Sequence, residues 1–181
     1  MDIINTSKEW KEKADALLLE KDLVKDLSRF GEVHFTGAYS YNLMMHGDID
    51  ISVARESDFS VEEVFEIFKT LYMERKFRSY FIGGDWDDPR KGEEFPKGFY
   101  VGLKEKINGE RWKFDIWFMS KKEYAGREQR PGFADMTEDQ RKLILECKQL
   151  RNEKKLSITG QEIYDLVLDG KINSADELLN A

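Results

Sequence analysis

Three aspartates on two alternating apolar stretches are the residues of this chain whose types and spacing could do chemistry. Gly47-Asp48-Ile49-Asp50-Ile51-Ser52-Val53 alternates acids with aliphatics, and successive strand side chains point to opposite faces. Asp48 and Asp50 therefore share one face, and Ile49, Ile51 and Val53 the other. Two carboxylates with Cα atoms roughly 7 Å apart repel one another and lose hydration unless a cation lies between them. Hard oxygen ligands of this kind favour Mg2+ or Mn2+ over zinc. The segment Trp112-Lys113-Phe114-Asp115-Ile116-Trp117-Phe118 repeats the pattern, with Phe114, Ile116 and Phe118 facing one way and Asp115 and Trp117 the other. If the two strands pair, three acids converge on one sheet face, as two-metal phosphoryl transfer requires. A single aspartate there would be an ordinary solvent-facing residue, because antiparallel sheets often keep one wet face. The trio is what argues for a site.

Upstream of the acids, Thr36-Gly37-Ala38-Tyr39-Ser40 reads as a phosphate-handling turn. This glycine turn, the nine-residue spacer from Tyr39 to Gly47, the acid-hydrophobic-acid strand and the later single acid resemble the DNA polymerase beta-like nucleotidyltransferase superfamily. The resemblance runs from Gly37 to Phe118, somewhat under half the chain. It implies that Gly37 is the motif glycine, that Asp48 and Asp50 are the paired acids and that Asp115 is the third, together holding two divalent ions. It also implies a turn that grips a nucleoside triphosphate such as ATP through Gly37, Ala38 and Ser40. Ala38 departs from the pattern, which has Ser or Gly after the motif glycine, so Ser40 or backbone N–H groups must take the place of the missing hydroxyl. The activity implied is transfer of a nucleoside monophosphate to an acceptor with release of pyrophosphate. Two alternatives use the same residues: a weak or inactive interaction protein of the antitoxin-like kind, and a metal-dependent phosphohydrolase.

The composition bounds the acceptor. With 29 basic and 36 acidic residues the net charge is -7, so the surface as a whole repels nucleic acid. A small molecule or a protein is the expected acceptor. Cys147 is the only cysteine, and Met1-Asp2-Ile3-Ile4-Asn5 has neither the basic region nor the apolar run of a signal peptide. The expectation is a reduced cytoplasm. No window approaches the roughly 20 apolar residues of a membrane helix, so no membrane partner is expected.

The elements that must position the acids follow from local signals. Thr6 and Glu9 form a capping box for a helix with Ala16, Leu19, Leu23, Leu27 and Phe30 on one face, stopped by Gly31. Val33 to Thr36 is a strand, and Tyr41 to Met45 a helical turn that sends Leu43, Met44 and Met45 into the core. Ser60 and Glu63 cap a helix to about Arg75, with Val61, Val64, Phe65, Phe68 and Leu71 toward the sheet. Phe77 to Ile82 is a strand broken by Gly83-Gly84. A long loop to Gly98 follows, whose Asp85, Trp86, Asp87, Asp88, Arg90, Lys91, Glu93, Glu94 and Phe95 are a candidate substrate rim. Phe99 to Lys106 and Glu110 to Phe118 form a hairpin through Asn108-Gly109. Thr137 with Gln140, Thr159 with Glu162 and Ser174 with Glu177 open three further helices. Lys148, Arg151, Lys154 and Lys155 are the most basic patch, read as a solvated helix face with phosphate binding as the alternative. His34 is a bystander in its strand, and His46, two residues before Asp48, is a candidate phosphate or substrate contact. The architecture expected is α+β: a small mixed or antiparallel sheet with helices on one face, residues 1–135 forming a nucleotidyltransferase domain and residues 136–181 a helical extension packed on it.

Overall fold

The structure, a computed structural model, describes residues 2–74, 76–83, 97–125, 132–133 and 135–180. Five strands form one mixed sheet in the order β1-β2-β5-β4-β3: β1 (Glu32–Thr36), β2 (Gly47–Arg55), β3 (Ser79–Ile82), β4 (Phe99–Ile107) and β5 (Glu110–Ser120). Only β2 and β5 run parallel; the other three pairings are antiparallel. β4 and β5 are joined by Asn108 and Gly109, with φ of 51° and 85°. Two successive positive φ values match the right-handed twist of the flanking strands, which is why Asn-Gly closes this hairpin. It carries Asp115 back to the middle of the sheet.

The aliphatic face of the two central strands is fully buried: Ile49, Ile51, Val53, Phe114, Ile116 and Phe118 are all at 0% exposure. Ala14, Leu17 and Leu18 of α1 (Ile3–Glu20), Leu23 and Leu27 of α2 (Leu23–Leu27), and Val64, Ile67 and Leu71 of α4 (Val61–Met73) share that core. A second cluster gathers Ile144, Leu145 and Cys147 of α6 (Glu138–Lys154) with Ile163, Tyr164 and Val167 of α7 (Gly160–Leu168). Leu43 and Phe133 complete it, and Ile3, Ile4, Ala38 and Tyr41 pack against it. Thus the turn after β1 touches both cores, because Ala38 packs against each. The capping boxes at Ser60, Thr137 and Thr159 all form, each with reciprocal side-chain and backbone hydrogen bonds.

Several local expectations are corrected. α1 starts at Ile3, capped by Asp2, whose side chain accepts from the Ile4 N–H at 3.2 Å; Thr6 lies inside the first turns. The helix also does not continue to Phe30, because Asp22 adopts the left-handed region at φ 53° and α2 restarts at Leu23. The buried stripe of α1 runs through Ala14, Leu17 and Leu18, and Leu19 is 79% exposed and Ala16 exposed. In α4 the buried positions are Val64, Ile67 and Leu71, while Val61 and Phe65 face solvent. The helical turn expected at Tyr41 to Met45 instead occupies Gly37–Ser40 as α3, although Leu43 and Met44 are fully buried. β3 begins at Ser79 rather than Phe77, Lys121–Ala125 forms the short helix α5, and Ser174 precedes a 3-10 helix at Ala175–Asn180 instead of an α-helix. The candidate rim from Asp85 to Phe95 lies outside the described residues.

Candidate active site

The alternation of β2 and β5 puts both acid patterns on the face opposite the aliphatic core, and the parallel register sets their relation. Asp50 is the Cα partner of Asp115, and Asp48 that of Lys113. Asp48, Asp50 and Asp115 are each half-buried. Burial, followed by the neighbouring charges of Asp48 and Asp115, pushes the Asp50 carboxyl up to about 7. Burial also raises Asp48, with Lys113 opposing and Asp115 adding to the rise. The raised values express crowding of like charges in a poorly hydrated place.

Each acid is held differently. Asp50 lies against Gly37, where an added Cβ would overlap Asp50 Oδ2. Gly37 also has φ +63°, a conformation that L side chains rarely adopt. A glycine is therefore required at the turn on two counts, and both concern the acid beneath it. Asp48 Oδ1 is buried without a hydrogen-bond partner, a costly state for a carboxylate oxygen unless something else binds it. Asp115 has both oxygens engaged. Tyr100 on β4 donates from its hydroxyl to Oδ1 at 2.6 Å, and the Lys113 ammonium pairs with Oδ2. Tyr100 reaches Asp115 by crossing Gly102, the Cα partner of Asp115, where a Cβ would stand 2.7 Å from the Tyr100 hydroxyl oxygen. Burial of Lys113 works against its charge, but the bond to Asp115 and the fields of Asp48 and Asp50 outweigh it and raise the ammonium.

The turn presents Ala38 half-buried between the cores, while Ser40 Oγ donates to the Phe35 carbonyl at 3.0 Å. The Ser40 hydroxyl thus has a backbone partner on β1. His46 is exposed just before β2, within electrostatic reach of Asp48. His34 stands one row away, opposite Ser52, its ring stacked on Tyr124 with centroids 4.2 Å apart.

The basic patch is not a patch. Lys148 is 4% exposed and turned inward, its Nζ donating to the Leu43 carbonyl at 2.6 Å and to Tyr164 Oη at 3.3 Å. Burial and the adjacent Arg151 pull it down to about 8, against the opposing pull of Asp48 and Asp50. Lys154 and Lys155 are exposed. Helical spacing could not reveal a lysine on the buried face; Lys113 was missed as well, although its position two residues before Asp115 puts it on the same strand face.

Among the described residues, no group of three or more His, Cys, Asp and Glu side chains is gathered closely enough to hold a metal ion. The acids divide instead into Asp48 and Asp50, which share the raised carboxyl values and the unpartnered oxygen, and Asp115, which is paired with Lys113 and Tyr100. The first two fit a divalent cation by donor chemistry and by the orphaned Asp48 oxygen.

No family model and no curated protein matches the chain. Solved structures do. The Cid1 poly(U) polymerase aligns at TM-score 0.57 and 18% identity over 83% of this chain and 45% of that one. The polymerase core of TRAMP, an RNA surveillance complex, aligns at 0.55 and 19% over 87% and 48%. The GLD-2/RNP-8 complex aligns at 0.53 and 13% over 90% and 58%. The chain spans about half the length of these structures. Its fold is the nucleotidyltransferase fold of these neighbours, α+β with a mixed five-stranded sheet. Among the described residues, no helix is long and apolar enough to cross a membrane.

Proposed function

We propose that the chain transfers a nucleoside monophosphate from a nucleoside triphosphate to an acceptor nucleophile, releasing pyrophosphate. The observation that carries this reading is the register of β2 and β5, which faces Asp50 with Asp115 on a sheet of nucleotidyltransferase fold, beside a turn that only glycine at 37 allows to close on Asp50. Asp48 and Asp50 would hold the divalent ion, Mg2+ or Mn2+, that accompanies the triphosphate. When bound, such an ion neutralises phosphate charge and orients the α-phosphate. Gly37 and Ala38 bring the backbone of the turn to the nucleotide. Lys148 and Arg151, close enough for their charges to repel and with Lys148 within electrostatic reach of Asp48 and Asp50, supply positive charge toward the phosphate tail. Asp115 faces the acceptor and takes its proton, oriented by Tyr100. Because nucleotidyl transfer is mostly positioning and charge stabilisation, these groups suffice for the reaction.

The preference for a small-molecule or protein acceptor, drawn from the net charge of -7, gains no support from structural neighbours that include a poly(U) polymerase and the polymerase core of an RNA surveillance complex. RNA therefore belongs in the test. The protein is incubated with each α-phosphate-labelled nucleotide, Mg2+ and either a cell extract or single-stranded RNA. Label in an adduct together with pyrophosphate is the expected result. Free phosphate without an adduct would make the protein a hydrolase, and no turnover alongside tight capture of one partner chain would make it an interaction protein.

A further inference from the structure

The third acid is already paired with a cation that the chain itself provides. Lys113 precedes Asp115 by two residues on β5, so both project from the acid face, and the parallel register sets Lys113 beside Asp48 just as it sets Asp115 beside Asp50. Its ammonium lies at Asp115 Oδ2 and feels the charges of all three aspartates. Tyr100 occupies the other oxygen. Each Asp115 oxygen thus already carries one strong bond, and a second divalent ion there would compete with the Lys113 ammonium for the same carboxylate, whereas Asp48 Oδ1 has no hydrogen-bond partner among the described residues. The Lys113 side chain is 43% exposed against 15% for Asp115, so the ammonium is the more accessible of the two to an incoming acceptor.

We propose that Lys113 is the second cation of the site: its ammonium stands at Asp115 in place of a second divalent ion, and the protein binds a single ion through Asp48 and Asp50. This rests on the nucleotidyl-transfer reading above and replaces the two-ion arrangement that three acids suggest. In the step, the acceptor oxygen bonds to the α-phosphorus as the bond from that phosphorus to the bridging oxygen breaks. Pyrophosphate leaves with the electron pair, and the acceptor proton passes to Asp115. The Lys113 charge stabilises the acceptor oxygen as its proton departs, a preorganised electrostatic role. No oxidant or further reactant is needed.

The test counts ions rather than turnover. Mn2+ bound per chain is measured by electron paramagnetic resonance titration in the presence of a non-hydrolysable α,β-methylene nucleoside triphosphate, for the unaltered protein, Lys113→Met and Asp115→Asn. We expect one ion in the unaltered protein, two in Lys113→Met, where Asp115 is released, and one in Asp115→Asn. Two ions in the unaltered protein, falling to one in Asp115→Asn, would overturn the role of Lys113 and leave nucleotidyl transfer standing. A count that stays at one in a Lys113→Met protein with an unchanged thermal melt would also overturn it. No Mn2+ bound with nucleotide present would remove the nucleotidyl-transfer reading itself.

Discussion

Gly37 and Asp50 are packed so closely that a methyl group on the glycine would occupy the space of the carboxylate oxygen Oδ2. The turn and the acid strand are thus a single unit, held by the pairing of Thr36 with Asp50 in the antiparallel register of β1 and β2. Gly37→Ala should cost about 1–3 kcal/mol of stability from the φ of +63° alone, with a further loss from the clash. Asp50→Ala in the same chain should recover the clash and leave the backbone strain. Denaturant unfolding of the two single variants and the double variant checks this non-additivity; strictly additive losses would mean that the turn and Asp50 are not coupled.

Tyr100 reaches Asp115 only across the bare backbone of Gly102. Tyr100→Phe should lower turnover roughly ten- to a hundredfold, the worth of one hydrogen bond to a charged group, while leaving nucleotide affinity unchanged. Gly102→Ala should reproduce that phenotype by pushing the hydroxyl away. Turnover and calorimetric binding on both variants decide the point, and an undiminished Gly102→Ala would show that the hydroxyl has another route.

The hydroxyl missing at Ala38 can be restored. Ala38→Ser should tighten triphosphate binding by up to about 1 kcal/mol. Ser40→Ala should leave it unchanged, since the Ser40 hydroxyl is bonded to the Phe35 carbonyl. Loss of affinity in Ser40→Ala, read by titration calorimetry, would show instead that Ser40 turns to the phosphate.

Lys148 predicts a pH dependence. Its folded value of about 8 lies below its ordinary 10.5, so between these limits the unfolded chain binds the proton more firmly. Stability of the metal-free protein should therefore rise from pH 8 toward 10, by an amount on the order of a few kcal/mol at most. Cys147 acts in the opposite sense above pH 9, because burial pushes its thiol up to about 11. The quantity to read is the difference between the unaltered protein and Lys148→Met across that range. The rise should disappear in the variant, and an identical pH profile in both proteins would contradict the burial of a charged lysine.

What could be read from the sequence was what local chemistry decides. The acid strand and its apolar partner face need only period-two alternation, the β4–β5 turn needs only Asn108-Gly109, and the capping boxes at Ser60, Thr137 and Thr159 need only residues three apart. The box at Thr6 and Glu9 had the same spacing but lost to Asp2, which caps the helix earlier. The break at Asp22 was invisible because it answers to packing, with Leu23 and Leu27 drawn into the core beyond it. Tyr100 was missed, and Lys148 was placed on a solvated face, for a related reason. One joins the site through a glycine on its own strand and the other through a carbonyl 105 residues away, and neither relation leaves a period or a motif.

The central claim, that Asp48 and Asp50 bind a metal-nucleotide complex, is tested most directly by thermal melts with and without Mg2+ and each nucleoside triphosphate. The crowding that pushes Asp50 up to about 7 should be relieved only by the ion and the nucleotide together. A ligand at about 100 times its dissociation constant stabilises by roughly 2.7 kcal/mol, a shift of several degrees in a chain of this size. The prediction is a large rise with Mg2+ and at least one nucleotide, little with either alone, and none in Asp50→Asn. No rise with any nucleotide at millimolar concentration, or an equal rise in Asp50→Asn, would contradict it.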